Sequence, residues 1–142
     1  MRGIGYGRGM GFFGMFVYSE GRWAEQATAD QYLSVDVHDS DFATIDYHPS
    51  GRGRGRFYLG IEPRHYFGDP TASKPVDAAA EISGFVDWAR SVVGAKISAS
   101  DLAELIADPD GSDPENPFVE DTVAQLIALL GLPLPAHLQP NA

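Results

Sequence analysis

Glu62, Arg64, His65 and Tyr66, with Asp69 and Ser73 close behind, are the residue types from which general acid–base chemistry is assembled. An imidazole titrates near neutrality, and a neighbouring carboxylate such as Glu62 or Asp69 can orient it as a base. No nucleophile elbow and no second catalytic motif accompany them. A small enzyme using His65 with a nearby carboxylate is therefore an alternative, and a non-enzymatic reading leads. His38, Asp39, Asp41, Asp46 and His48 form a second cluster, of metal-ligand types. Zinc needs imidazoles and a carboxylate converging on one point, which turn residues flanking two strands have no reason to do, so no metal and no cofactor is expected. The run from Asp108 to Asp113 is rich in oxygen ligands, as a calcium loop is. Its glycine is misplaced, and the twelfth position counted from Asp108 is Val119, where a bidentate glutamate belongs. It reads as a solvated, proline-punctuated interhelix loop.

Arg52, Arg54 and Arg56 alternate with glycine ahead of Phe57 and Tyr58, the composition of an RNA-binding arm beside a stacking platform. The RNA-recognition signature needs an aromatic directly after Arg-Gly, whereas here Arg56 follows Gly55. The expectation is a mobile hairpin loop whose arginines offset an acidic surface and can clamp a phosphate or carboxylate on a partner. The glycines at 3, 5, 7, 9 and 11 lack the strand, spacing and helix of a dinucleotide-binding turn, so residues 1–11 read as a flexible lead-in. On a helical wheel Trp88 lies roughly 110° from the centre of its apolar stripe, beside Val92 and near Asp77 and Glu81. A half-exposed tryptophan flanked by carboxylates has the make-up of an interface anchor for a basic partner. Trp88, Asp77, Glu81, Asp87, Asp101 and Glu104, with Arg52 and Arg54, are accordingly the candidate partner-binding residues. Packing over the sheet edge is the competing reading for Trp88, and Trp23 shares the ambiguity.

The elements that must position these groups fall into two halves. A chain of 142 residues, 44% apolar, suits one domain over 1–142, with a frayed tail over 134–142. Strands are expected over Phe12 to Ser19, Tyr32 to His38, Phe42 to His48 and Arg56 to Ile61. Asp39-Ser40-Asp41 and the Pro49 to Gly55 stretch turn between them, giving an antiparallel meander of about four strands. Helices follow. Val76 to Val93 carries Ala79, Ile82, Phe85, Val86, Ala89 and Val93 at helical spacing and stops at Gly94. Ser98 caps a second helix that ends before Pro109, and Asn116 with Pro117 opens a third through Leu130. Tyr66 and Phe67 are expected to pack under the first helix. The fold class is α+β, an antiparallel sheet in the first half covered by two or three helices from the second.

Charge is divided along the same line. Residues 1–74 carry 8 basic and 9 acidic side chains and residues 75–142 carry 2 and 11, so nearly all of the net −10 belongs to the helical half. A surface of that sign opposes nucleic acid and favours a basic partner. The absence of cysteine excludes a disulfide framework and points to a cytoplasmic home. Arg2 and Arg8 before the Phe12 to Tyr18 run make a poor export signal, because Gly14 interrupts it and charges separate it from Ala27-Thr28-Ala29. No stretch reaches the roughly 18 apolar residues of a membrane span.

Phe57-Tyr58-Leu59-Gly60 after the Arg/Gly turn, then Pro75-Val76-Asp77 opening a helix that contains Phe85-Val86-Asp87-Trp88-Ala89, resembles actinobacterial immunity proteins of polymorphic toxin systems over about residues 32–93. The resemblance implies a small acidic α+β protein that binds a cognate secreted toxin and blocks its active site. The glycine-rich start and acidic helical tail depart from the pattern, and no binding residue transfers from it. An oligomerising module using the Gly/aromatic lead-in as an edge strand is the remaining alternative.

Overall fold

Leu33, Val35 and Val37 of one strand and Ala43, Ile45 and Tyr47 of the next are all buried, as alternation on a half-covered antiparallel pair requires. The computed structural model describes residues 11–138; the expected lead-in before Gly11 and the tail after Leu138 lie outside the described residues. The strands are β1 (Gly14–Ser19), β2 (Arg22–Ala24), β3 (Tyr32–His38), β4 (Phe42–His48) and β5 (Arg56–Leu59). The helices are α1 (Pro63–Tyr66), α2 (Ala78–Trp88), α3 (Ala99–Leu105) and α4 (Val119–Leu129). A π turn (Ala89–Val93) prolongs α2, and a 3-10 turn (Ala136–Leu138) closes the described chain. All five strands form one antiparallel sheet in the order β2-β1-β3-β4-β5. The α2 and α4 helices lie on β4 and β5, and α3 bridges α2 to α4, so the fold is α+β. Among the described residues, no helix is long and apolar enough to cross a membrane.

The four expected strands are present and a fifth joins them. Glu20 and Gly21 both have positive φ, the two-residue turn that matches strand twist, and return the chain into the three-residue β2. That places β1 between β2 and β3, so the strand after the lead-in is interior, and the sheet edges among the described residues are β2 and β5. Asp39 and Ser40 form the same kind of turn between β3 and β4, with the Asp41 amide donating to the His38 carbonyl at 2.9 Å.

Helix ends follow their caps with one exception. The Asp77 carboxylate accepts from the Ala80 amide (3.2 Å), the Ser98 hydroxyl accepts from the Asp101 amide (3.3 Å), and Gly94 takes the left-handed conformation after the π turn. Asn116 does not cap α4, which begins at Val119. The Ser40 carbonyl, reaching from the β3–β4 turn, accepts the Val119 amide at 2.8 Å and does the work of a cap, while Asn116 Nδ2 donates to Thr122 Oγ1.

Two packing expectations are also corrected. Tyr66 and Phe67 do not lie under α2; they gather with Phe13, His38 and Phe42 at one end of the sheet face away from the helices, and Phe67 is exposed. The chain remains packed beyond Leu134: His137 stacks on Phe16 with ring centres 5.9 Å apart, and Leu138 rests on the core. Phe85, fully buried between Tyr47, Phe57 and Trp88, is the aromatic centre of that core. Phe85→Ala should cost about 3–5 kcal/mol in urea unfolding, whereas exposed Phe67→Ala should stay within about 1 kcal/mol. Equal losses would place the core elsewhere.

Candidate functional site

The α2 helix does not bury the stripe that hydrophobicity alone selects. Its buried residues are Glu81, Gly84, Phe85 and Trp88, followed by Ala89, so the buried face is turned roughly a quarter turn from the expected stripe, whose Ile82 and Val86 are only partly buried. Glu81, only 3% exposed, decides this phase. Its Oε1 accepts from the Tyr47 hydroxyl at 2.6 Å and the Gly55 amide at 3.2 Å, and its Oε2 accepts from the Arg54 amide at 2.6 Å. A buried carboxylate with three donors is satisfied, and one without them would be prohibitive.

The same contacts shape the Arg/Gly loop, which is pinned down along its length where a mobile loop was expected. Gly53 packs so closely on the Glu81 carboxylate that a Cβ would collide with it. A Cβ at Gly84 would lie 2.6 Å from both the Ser50 carbonyl and the Tyr47 hydroxyl. Gly55 combines positive φ with the closing contact in which the Tyr47 amide donates to its carbonyl (2.9 Å). The glycines therefore face α2, and the intervening arginines are exposed.

Those arginines form one wall of a cleft of about 820 Å³, closed on the other side by residues 70–77. Of the eight Lys and Arg among the described residues, four line it: Arg52, Arg54, Arg56 and Lys74. Arg56 grips Asp46 with two nitrogens, at 2.6 and 3.0 Å, and that bond raises its pKa further. Opposite, Thr71 donates its amide and hydroxyl to Asp69 Oδ1 (2.9 and 2.7 Å) and holds the Asp69 carboxyl below the usual range, the hydroxyl contributing most.

The expected partner-binding residues divide between locations. Arg52, Arg54, Asp77 and Glu81 come together around the cleft. Trp88 is not half-exposed: it is 1% exposed, stacked on Phe85 with its Nε1 donating to the His48 carbonyl at 3.0 Å, and it is a core residue. The quarter-turn shift set by Glu81 carries it inside. Glu81 is likewise a buried anchor and no part of an exposed acidic patch. Trp23 packs edge-on against Phe16 and Tyr18 and donates to the Pro133 carbonyl. Asp87 is exposed beside Arg90, and Asp101 and Glu104 are exposed on α3; none of the three lines the cleft. Sequence reasoning missed Lys74 and the Arg56–Asp46 clamp. The available signal was that Lys74, beside Pro75, is the last cation before the acidic half.

His65 does not lie in the cleft. Its Nε2 donates to the Pro109 carbonyl at 2.8 Å, while Glu62 pairs with Arg64 (2.8 Å) and Asp69 is engaged by Thr71. His38 stacks on Phe42, His48 contacts the Asp30 carbonyl, and Asp39 accepts the Gly11 amide, so the histidine–aspartate cluster disperses. Among the described residues, no three such side chains are placed to hold a metal. In the Asp108–Asp113 loop, Asp108 accepts the Asp110 amide, which with Ser112 lowers its pKa. No family model, curated protein or solved structure matches the chain.

Glu81→Leu leaves the Arg54 and Gly55 amides without an acceptor and the Tyr47 hydroxyl with only the backbone carbonyl of residue 81, 3.2 Å away, and should cost about 3 kcal/mol or more in denaturant unfolding. A loss below about 1 kcal/mol would remove Glu81 as the anchor. The Tyr47 phenol is pushed far above its ordinary pKa, first by burial and then by the hydrogen bond to, and charge of, Glu81. Its contribution is complete below the unfolded value of about 10 and is lost as pH rises above it. Tyr47→Phe should be less stable at neutral pH and have a flatter alkaline limb than the parent; parallel limbs would contradict this.

Proposed function

We propose that the chain is a non-enzymatic binding protein, an immunity protein that occludes the active site of a basic secreted toxin inside the cell that makes both. The observation that carries this reading is the one-sided charge of the helical half. After Lys96 the sequence contains no further lysine or arginine, yet Asp101, Glu104, Asp110, Asp113, Glu115 and Asp121 are all exposed. Such a layer repels itself in the free protein, and a basic partner relieves that repulsion while being steered toward it. With Trp88 inside the core, the apolar anchor of the layer is Phe118, 46% exposed between Glu115 and Glu120. The resemblance over residues 32–93 supports the toxin class, and the engagement of His65 by the Pro109 carbonyl, Glu62 by Arg64 and Asp69 by Thr71 weakens the enzymatic alternative.

The test is titration with an inactivated form of the secreted protein encoded beside this gene. A complex is expected whose association slows about tenfold or more between low and physiological salt. Asp101→Lys with Glu104→Lys should slow association further, and Phe118→Ala should speed dissociation about tenfold. The absence of a complex, or one indifferent to salt and to all three substitutions, would sink the proposal.

A further inference from the structure

The cationic cleft lies outside the acidic layer, and its design calls for a different ligand. We propose that it binds a small organic phosphate carrying at least two negative charges, between Arg52 and Arg54 on one wall and Lys74 on the other.

Three carboxylates also border the cleft, and each is already engaged. Asp46 is held by both Arg56 nitrogens, Asp77 caps the Ala80 amide, and Glu81 is enclosed by Tyr47, Arg54 N–H and Gly55 N–H. Arg52, Arg54 and Lys74 make no ion pair among the described residues. The lining thus carries four cations and three carboxylates, of which Asp46 is paired with Arg56 and Glu81 is buried beneath the loop. The exposed charge at the mouth of the concavity is therefore mainly that of Arg52, Arg54 and Lys74 against Asp77, a net positive field that a small anion relieves.

The arginine wall is preorganised. Glu81 fixes the backbone at Arg54 and Gly55, and the inward glycines leave the outward positions to arginine, so little loop entropy remains to be lost on binding. The facing wall is fixed by the Asp69–Thr71 turn. A volume of about 820 Å³ lies within the range of small-molecule sites, and Pro70, Pro75 and Val76 supply apolar surface for the organic part of the ligand. Guanidinium forks match phosphate oxygens in pairs, and the ammonium adds a point charge. A nucleic acid is disfavoured because a polymer leaving the cleft meets the acidic remainder of the surface.

Calorimetric titration with ADP, inorganic pyrophosphate and citrate, without added metal, tests the assignment. ADP and pyrophosphate should bind, and Arg54→Ala and Lys74→Ala, on opposite walls, should each weaken them about tenfold. Both side chains are exposed, so the variants should keep the parent melting temperature. Arg90→Ala and Lys96→Ala, outside the cleft, control for loss of general charge. No binding of either phosphate below about 5 mM (weaker than about 3 kcal/mol) would overturn the proposal. So would citrate binding as tightly as pyrophosphate, or equal losses in the control variants. Failure here leaves the toxin-binding layer untouched, since the two sites share none of the substituted residues.

Discussion

Burying a carboxylate is costly unless donors surround it, and the contact of Glu81 with Tyr47, Arg54 and Gly55 meets that condition from two directions, a sheet strand and a loop. Helix, strand and loop are consequently fixed against each other by one side chain. If α2 turned so that its most apolar residues faced the sheet, Glu81 would leave its donors. Keeping it in place brings Gly84 under the Ser50 carbonyl, where only a hydrogen fits, and carries Trp88 inward to the His48 carbonyl. The three glycines and the tryptophan that look unrelated in sequence are all consequences of this contact.

It also explains how cations and anions are separated on the molecule. Because the loop glycines face the helix, the loop arginines face out, and because the segment before α2 folds against that wall, Lys74 joins them. Below α2 the chain turns acidic, with carboxylates in the first turns of α3 and α4, where helix dipoles favour them, and in the loop between. Local helix chemistry accounts for Asp101, Glu120 and Asp121. It does not account for Asp110, Asp113 and Glu115, which lie between helices and have no terminus to stabilise.

Much of the architecture was legible because it depends on near-neighbour signals. Alternation located β3 and β4, Ser98 and Gly94 marked helix ends, and the charge boundary separated sheet from helices. What escaped depends on contacts distant in sequence. The β2 strand is three residues long and too short to show a period. The α4 start is set by a carbonyl seventy-nine positions earlier, at Ser40 against Val119, so Asn116 offered a local cap that the tertiary structure did not use. The phase of α2 was misread because a glutamate was assigned to the wet face, when its donors are supplied by Tyr47 and the loop. The candidate site was half legible for the same reason. Arg52 and Arg54 were visible as a motif, but Lys74 enters only once residues 70–77 are folded against them.

A net charge of −10 opposes phosphate when the ligand is a polymer long enough to sample the whole surface. It does not extend to a ligand that fits within one cleft. At physiological salt the screening length is about 8 Å, so exposed carboxylates well beyond that distance contribute little to the potential inside. The local balance governs instead, and there four cations meet three carboxylates, one paired with Arg56 and one, Glu81, buried beneath the loop, so the exposed lining is positive. Acidic surroundings of this kind oppose a long polyanion more than a small anion held within the cleft. Global charge and local charge select against different sizes of the same chemistry, which is how an acidic protein can present a cationic site without becoming a nucleic-acid binder.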